Sequence, residues 1–349
     1  MKKYMKALGI GSLLLFAAAC GNGEEQSSGD NSTSGGSSDG ESAAQQEESH
    51  DLRLAHNLGE DHPVHKGLVD FKERVEEKSD GNMTVKIFPN GTLGSENEVL
   101  EQVQNGGIDM TKVSAGALEN FASEYAVFSL PYVFEDEDHF FESMESDAVQ
   151  ELYEGTEEEG FIGVTYYDSG ARSFYTQDTP IEHPDDLKGM KIRVMNSETQ
   201  IDMVETMGGS PTPMPYGDIY TGLQQGVIDG AESNPTALTT GNHGEVAKAF
   251  SYDQHTRIPD IAVMSADTWN TLSENQQEII KTSAEESTET QKEIWSEAVE
   301  EAKTEAKEMG VEFYEVDKEP FREAVEPMIE DYREDEAIAD LLDEFESLR

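Results

Sequence analysis

The chain has 349 residues, with 24 Lys and Arg against 74 Asp and Glu, so its formal charge is −50. This balance excludes proteins that bind nucleic acids or anionic membrane surfaces by charge, because both depend on Lys and Arg that neutralise phosphates. A hydrophobic content of 36% over this length supports a sizeable core and about two domains. The single cysteine, Cys20, excludes an intramolecular disulfide, a Cys-rich zinc site and a thiol nucleophile elsewhere in the chain.

The first twenty residues account for that cysteine. Three lysines precede an apolar run from Ala7 to Ala19, which is too short to span a bilayer, and small residues then lead into Cys20. The segment resembles a bacterial lipoprotein signal peptide, which implies cleavage before Cys20, acylation there with a fatty acid such as palmitate, and a lipid anchor in the cell membrane. Ala17, where such signals more often carry Leu, leaves an ordinary secretory signal as the alternative. Both predict an exported protein with an extracytoplasmic location.

A polar segment follows the cysteine. Gly and Ser make up 14 of the 29 residues from Gly21 to Ser49, which also contain seven acids and no base. Such a composition cannot bury enough apolar surface to fold, so we predict a disordered tether here. A Gly/Ser coil of this length has a root-mean-square reach of roughly 30 Å, enough to hold a folded body clear of a membrane.

From residue 50 onward, short β-like runs alternate with helical ones. The spacing of Leu52 and Leu54 predicts a first strand, and Ser95 with Glu98 three residues later predicts a capping box at a helix start. The other predicted strands are 83–88, 161–167, 172–176 and 191–194. The other predicted helices start near Val64, Ser197 and Glu274, the last being one long helix or two broken ones up to Met309, and two further helices end near Leu348.

This alternation predicts an α/β fold of two lobes, each a mostly parallel sheet flanked by helices, with ligands at the carboxyl ends of the strands. We expect a signal peptide at 1–19, the lipidated cysteine and tether at 20–49, and a binding body at 50–349. Within the body, the first lobe covers about 50–170 plus a later returning segment. The second lobe covers about 171–270, and C-terminal helices fill 271–349.

Two arginines stand out in the middle of the chain. Arg172 and Arg193 are the only arginines between Val75 and Thr256, a region crowded with acids. Guanidinium is a planar fork that binds a carboxylate through two parallel charge-assisted hydrogen bonds, so both are candidates for holding a small organic acid. Their spacing alone equally allows both to pair with surface acids.

Six runs of the body carry a family resemblance. They are Gly91-Thr-Leu-Gly-Ser-Glu96, Gly107-Ile-Asp-Met110, Ser129-Leu-Pro-Tyr-Val-Phe134, Asp185-Asp-Leu-Lys-Gly-Met-Lys-Ile-Arg-Val194, Gly208-Gly-Ser-Pro-Thr-Pro-Met214 and Tyr220-Thr-Gly-Leu-Gln-Gln-Gly-Val-Ile-Asp-Gly-Ala-Glu-Ser-Asn234. Together they resemble the solute-binding proteins of tripartite ATP-independent periplasmic (TRAP) transporters, of the dicarboxylate-type (DctP) family, over roughly His50 to Phe345. The resemblance implies a periplasmic-binding-protein-like clamshell, joined by crossing strands and a long helix, that closes on an organic anion.

The resemblance also implies roles for particular residues. Arg193 takes the place of the main carboxylate clamp, Arg172 that of a second basic contact, and Asn234 supplies an amide, although Ser233 stands where the family often has Asn. The remaining implied ligand-binding positions are Asn57, Glu96, Asn196, Tyr216 and Ser114.

The predicted ligand class follows from Glu96, which falls where the family contacts the polar end of its ligand. Glu96 would repel a second carboxylate and suits hydroxyl groups, so we favour a hexuronate such as D-glucuronate or D-galacturonate over a C4-dicarboxylate or another hydroxy or keto acid. The expected partners are this ligand and the membrane permease of a TRAP transporter. We expect a monomer with no cofactor, no metal and no catalytic residue.

Two other functions compete with this one. An exported enzyme acting on acidic sugars could use paired carboxylates, but the sequence has no nucleophile elbow, Gly-rich phosphate loop or His-Glu zinc motif. A lipoprotein that presents its ligand to a sensor kinase would share the same cleft. His62 and His65 could form half a metal site, but no third ligand is implied by spacing, so exposed helix residues or a lining of the cleft entrance are favoured.

Overall fold

A computed structural model describes residues 48–349, which fall within one compact unit. The predicted signal peptide, Cys20 and almost all of the tether lie outside the described residues. The strands of the described part are β1 (His50–Ala55), β2 (Met83–Phe88), β3 (Met110–Ser114), β4 (Phe161–Tyr167), β5 (Arg172–Thr176), β6 (Lys191–Val194), β7 (Ser210–Pro213), β8 (Gly230–Ser233), β9 (Ala249–Thr256), β10 (Asp260–Ser265) and β11 (Glu312–Glu315).

Helices connect and cover these strands. They are α1 (Pro63–Lys78), α2 (Glu96–Gln104), α3 (Ala115–Leu118), α4 (Glu137–Met144), α5 (Asp147–Gly155), α6 (Glu198–Thr206), α7 (Ile219–Gln224), α8 (Thr236–Thr239), α9 (Ala266–Trp269), α10 (Glu274–Glu308), α11 (Glu319–Tyr332) and α12 (Glu336–Ser347). No helix of residues 48–349 is both long enough and apolar enough to cross a membrane.

The local signals act as expected at the helix starts. Ser95 and Glu98 form the predicted capping box before α2, and Ser197 caps α6 through its side chain. The run from Glu274 forms one unbroken helix of 35 residues, which begins with a second capping box at Ser273 and Gln276. That helix resolves the choice between one helix and two.

The strands form two sheets. The first sheet has the order β2-β1-β3-β10-β4, and the second has the order β11-β9-β5-β8-β6-β7. The chain passes from the first sheet to the second between β4 and β5 and returns between β9 and β10. The predicted α/β fold with two lobes and a long helix is confirmed.

The sheets are mixed rather than mostly parallel. The outer pairs β1–β2, β6–β7 and β9–β11 are parallel, whereas β10 runs antiparallel to both β3 and β4 and β5 runs antiparallel to both β8 and β9. The strands that cross between sheets cause this, because the second crossing must run opposite to the first to bring the chain back. β10 is therefore the returning segment, and it lies in the first sheet, whereas the sequence predicts residues 260–265 in the second lobe.

The long helix α10 packs against residues of both sheets. Ile280, Ala284 and Trp295 pack in a cluster with residues of β1, β2 and α1, while Ala306 packs in another cluster with residues of β8 and β9. Polar groups of the helix also contact the crossing segment, residues 168–171, where the chain first passes from one sheet to the other. Gln291 donates to the carbonyl of Asp168 at 2.8 Å and accepts from its N–H at 2.9 Å. The helix thus stabilises the segment in which the chain passes from the first sheet to the second.

Candidate functional site

A small cavity of about 50 Å³ lies where the two sheets meet, at the carboxyl ends of β1, β3, β6 and β8 and the starts of β5 and β10. It is lined by Asn57, Leu58, His62, Glu96, Lys112, Ser114, Ser169, Arg172, Arg193, Met195, Tyr216, Ser233, Asn234, Thr236 and Asp260. An outer cavity of about 330 Å³ shares Asn57, Glu96, Arg193, Met195 and Tyr216 with it. We call the two together the cleft.

The structure brings the predicted residues together here. Seven of the eight line the inner cavity, and the eighth, Asn196, lines only the outer one. Asn196 is exposed, and its backbone carbonyl accepts a hydrogen bond from Asn120 at 2.7 Å. The cleft also contains buried charged residues that the sequence did not single out, notably Lys112 and Asp260.

Arg193 is buried in β6 with 3% of its surface exposed. Its Nε and Nη2 donate to the backbone carbonyl of Met214 at 3.0 and 2.9 Å, and its Nη1 lies 4.0 Å from a carboxylate oxygen of Glu232. Burial lowers the pKa of Arg193, but an arginine side chain stays charged at any physiological pH. Its guanidinium donates hydrogen bonds to a neutral carbonyl and is beyond hydrogen-bond distance of Glu232, so much of its charge remains available to an anion in the cleft.

Arg172 lies at the start of β5 and has a different environment. Its Nε donates to Oε2 of Glu232 at 2.5 Å, and its Nη2 donates to Oε1 at 2.8 Å and to the Glu232 carbonyl at 2.9 Å. Glu232 is fully buried in β8. The alternative of a pairing with an acid is therefore partly right for Arg172, although the acid lies in the interior and not at the surface. The charge of Arg172 is neutralised within the protein.

The buried ion pair extends to a histidine. His255 lies 3.6 Å from Glu232 through Nε2 and 2.5 Å from Asp253 through Nδ1. Burial alone would lower the pKa of His255, but Asp253 and Glu232 raise it to about 9. Burial alone would likewise raise the pKa of Glu232, but Arg172 and His255 hold it at about 2. Glu232 and His255 are thus both ionised near neutral pH, and Glu232 is shared between two cations, Arg172 and His255.

Lys112 is the main residue that sequence reasoning missed. It lies in β3 with 1% of its surface exposed, and its Nζ donates to Oδ1 of Asp260 at 2.9 Å and to Oδ1 of Asn57 at 3.3 Å. The same nitrogen lies 3.6 Å from Oε1 of Glu96. Lys112 stands in Met110-Thr-Lys-Val-Ser114, where the sequence predicts no buried run, so no local signal marks it. A lysine is rarely fully buried unless it is paired, and its partner Asp260 is 148 positions away in sequence.

The residues around Lys112 hold one another in place. Glu96 accepts a hydrogen bond from the backbone N–H of Ser114 at 3.0 Å, which fixes the start of α2 beside the end of β3. Ser114 in turn caps α3 by accepting from Gly116 N at 3.4 Å. Glu96 lines both the inner and the outer cavity.

Asn234 lines the cavity, but most of its amide is already used. Its Nδ2 donates to the carbonyl of Ser169 at 2.9 Å, and its Oδ1 accepts from the backbone N–H and the hydroxyl of Thr236 at 3.0 and 2.6 Å. One N–H remains available to a ligand. Asn234 was expected to donate to the ligand and to accept from it, but only one donor is left for a ligand. Its hydrogen bond to Ser169 also connects β8 with the crossing segment.

Tyr216 and His62 close two sides of the inner cavity. Loss of solvent around the Tyr216 hydroxyl raises its pKa to about 12, and its ring lies 5.4 Å from that of His243. His62 is buried, and burial lowers its pKa to about 3, so it is neutral. Exposure was therefore the wrong expectation for His62, because its Nδ1 accepts from Val64 N and caps α1.

The half metal site does not extend to a full one in the described part of the chain. His65 pairs with His56 at 2.9 Å between ring nitrogens. Within residues 48–349, no three His, Cys, Asp or Glu side chains are grouped so as to hold a metal ion.

Comparison with known proteins agrees with this architecture. The family model for bacterial extracellular solute-binding proteins of family 7 (DctP) matches residues 54–335. The chain belongs to this family. Its members are extracytoplasmic proteins that bind solutes for transporters, and they are not enzymes.

Relatives and solved structures cover nearly the whole body. YiiZ of Salmonella typhimurium strain LT2 is 46% identical over 279 residues, which is 79% of this chain and 85% of YiiZ. The TRAP solute-binding protein of Anaerococcus prevotii with bound D-glucuronate has a TM-score of 0.84 and 38% identity, covering 86% of this chain and 98% of its own. That of Sulfitobacter sp. NAS-14.1 with bound β-D-galacturonate has a TM-score of 0.82 and 38% identity, covering 84% and 99%.

Proposed function

We propose that this protein captures a hexuronate, D-glucuronate or D-galacturonate, outside the cytoplasm and delivers it to the permease of a TRAP transporter. The observation that carries the proposal is Arg193, a buried guanidinium whose hydrogen bonds go to a neutral carbonyl in a cleft between two sheets. A desolvated carboxylate needs a paired, hydrogen-bonding cation, and Arg193 offers one without first having to break a hydrogen-bonded ion pair. The uronates bound in the two similar structures support the choice of ligand.

Arg172 then acts mainly through Glu232 and not as an equal clamp. Its ion pair occupies the side of the guanidinium formed by Nε and Nη2, and the same carboxylate lies 4.0 Å from Arg193. Asn234, Tyr216, Asn57, Ser114 and Glu96 complete the proposed contacts, and Asn196 lies at the rim.

The mechanism is capture without chemistry. We propose that each sheet is the centre of one lobe and that residues 168–171 and 257–259, where the chain crosses between sheets, bend when the lobes close. A ligand favours the closed state only as far as it binds that state more tightly than the open one. The protein is expected to bind and release the uronate unchanged, and to act as a monomer.

The lipid anchor is a separate proposal. The apolar run before Cys20 and the Gly/Ser-rich segment after it support acylation of Cys20 and attachment to the outer face of the cell membrane. Incorporation of labelled palmitate in cells should be lost in Cys20→Ser. Labelling of that variant at the level of the native chain would refute the anchor.

Thermal-shift screening against organic acids tests the function most broadly. A ligand that binds the folded state raises the melting temperature, by RT ln(1 + [L]/Kd) in free energy, so one or both uronates should give the largest rise. Succinate, malate and fumarate serve as the dicarboxylate comparison. A larger rise with these acids than with uronates would replace the proposed ligand class, and conversion of a uronate detected by NMR would replace binding by catalysis.

A further inference from the structure

The end of the cleft formed by β3 and β10 of the first sheet has an unusual arrangement of charge. Lys112 Nζ donates to Asp260 and Asn57 at 2.9 and 3.3 Å, but its distance to Glu96 Oε1, 3.6 Å, is too long for a hydrogen bond. An ammonium group has three N–H donors, and two of them are accounted for by these contacts. The third is left for a further acceptor, and both Lys112 and Glu96 line the inner cavity.

We propose that Lys112 and Glu96 together recognise one hydroxyl group of the ligand and make Lys112 a specificity-determining residue. This inference rests on the proposed function. A hydroxyl oxygen beside this pair, within hydrogen-bond distance of both, accepts a hydrogen bond from Lys112 and donates one to Glu96, so both charged groups gain a partner. A carboxylate at the same place accepts from Lys112 but has no proton for Glu96, and a methylene does neither.

The net charge of this end strengthens the selection. Asp260 and Glu96 carry two negative charges against one positive charge on Lys112, so this end has a net charge of −1. At the other end, Arg172 and Glu232 cancel, as do His255 and Asp253, and Arg193 remains, which leaves a net charge of +1. The cleft therefore fits an acid with one carboxylate and an uncharged, hydroxyl-bearing far end, and it disfavours a second carboxylate there.

Burial makes these preferences strong. The side chains of Lys112 and Asp260 are 1% and 8% exposed, and that of Glu96 is 18% exposed. A site built to hydrogen-bond a hydroxyl rejects the analogue that lacks it, because the third N–H of Lys112 and one acceptor position of Glu96 then lose a partner. A hydrated site at the surface would not discriminate in this way.

Calorimetric titration of the purified protein tests this inference with the tighter-binding uronate, its monodeoxy analogues and the matching six-carbon dicarboxylate, D-glucarate or galactarate. In the native protein, removal of one particular hydroxyl should weaken binding at least tenfold, and the dicarboxylate should bind at least 100-fold more weakly than the uronate. In Lys112→Met, the penalty at that hydroxyl should shrink to less than threefold, while the penalties at the other hydroxyls persist.

A second variant covers the case in which Lys112→Met does not fold because Asp260 loses its partner. Glu96→Gln keeps the size of the side chain and removes its charge, so the preference for the uronate over the dicarboxylate should fall at least tenfold. Glu101→Gln, an exposed position on the same helix, is the matched control and should leave that preference unchanged.

The outcomes separate this inference from the proposed function. If the native protein binds a uronate but Glu96→Gln leaves the preference unchanged, or Glu101→Gln alters it equally, the hydroxyl-recognition site is refuted and the proposed function stands. Equal hydroxyl penalties in the native protein and a folded Lys112→Met also refute the site and leave the proposed function standing. If the native protein binds no uronate, both proposals fail.

Discussion

The two ends of the cleft both contain a buried cation, yet they use it differently. At the end formed by β5, β6 and β8, Glu232 neutralises Arg172 and leaves Arg193 with hydrogen bonds to a carbonyl. At the end formed by β3 and β10, oxygen acceptors surround Lys112, two of them on carboxylates. It follows that a basic residue in a pocket is a candidate anion receptor only when its charge is not already neutralised within the protein.

The greatest loss of binding should follow the removal of Arg193, at the end formed by β5, β6 and β8. Arg193→Ala should reduce uronate affinity by at least 1,000-fold, because the ligand carboxylate would then be desolvated without a partner. Calorimetry checks this, with circular dichroism to show that the variant is folded. Arg172→Ala should weaken binding less. Near-native affinity in Arg193→Ala, or an equal loss in Arg172→Ala, would reverse the assignment of the clamp.

The next effect concerns stability and distinguishes the two arginines. Arg172→Met removes the main partner of the buried Glu232, so it should lower the free energy of unfolding by about 3–5 kcal/mol. Arg193→Met removes no hydrogen-bonded ion pair and should cost less. Urea unfolding of both variants without ligand measures the difference. A larger loss in Arg193→Met would show that Arg193, not Arg172, has the structural role.

A smaller, pH-dependent effect on stability distinguishes His255, beside Glu232, from His62, which lines the inner cavity. The pKa of His255 is raised from 6.5 to about 9, so its contribution to stability is complete below pH 6.5 and is lost as the pH rises to 9. The pKa of His62 is lowered from 6.5 to about 3, so its contribution is complete above pH 6.5 and is lost as the pH falls towards 3.

Urea unfolding across pH 3–9 therefore gives opposite expectations for two variants. His255→Gln should flatten the alkaline part of the stability curve, and His62→Asn, which keeps an N-cap residue before α1, should flatten the acidic part. If both variants altered the same part of the curve, the contrast between the two ends would be wrong.

The weakest effect should be at the rim. Asn196 is exposed and lines only the outer cavity, so Asn196→Ala should change uronate affinity by less than about threefold, as rim contacts usually do. Calorimetry under the conditions used for Arg193→Ala provides the comparison. A tenfold loss would extend the binding site outward to include this residue.

Local sequence predicted much of the fold. The boundaries of β2, β4, β5 and β6 and the capping box before α2 follow from alternation, turn residues and short-range hydrogen bonds. The family resemblance predicted eight ligand-binding residues, and all eight line the cleft. What neither could give was the pairing of charges, because Arg172 meets Glu232 across 60 positions and Lys112 meets Asp260 across 148. Those contacts depend on strand order and on the crossing between the two sheets.

The role of Arg193 is tested without any mutation by comparing D-glucuronate with D-glucuronamide, which keeps every ring hydroxyl and replaces the carboxylate by a neutral amide. If Arg193 binds the carboxylate in a desolvated cleft, calorimetry on the native protein should show that the amide binds at least 100-fold more weakly than the acid. Equal affinities for the acid and the amide would refute this role, because the buried charge of Arg193 would then contribute nothing to recognition.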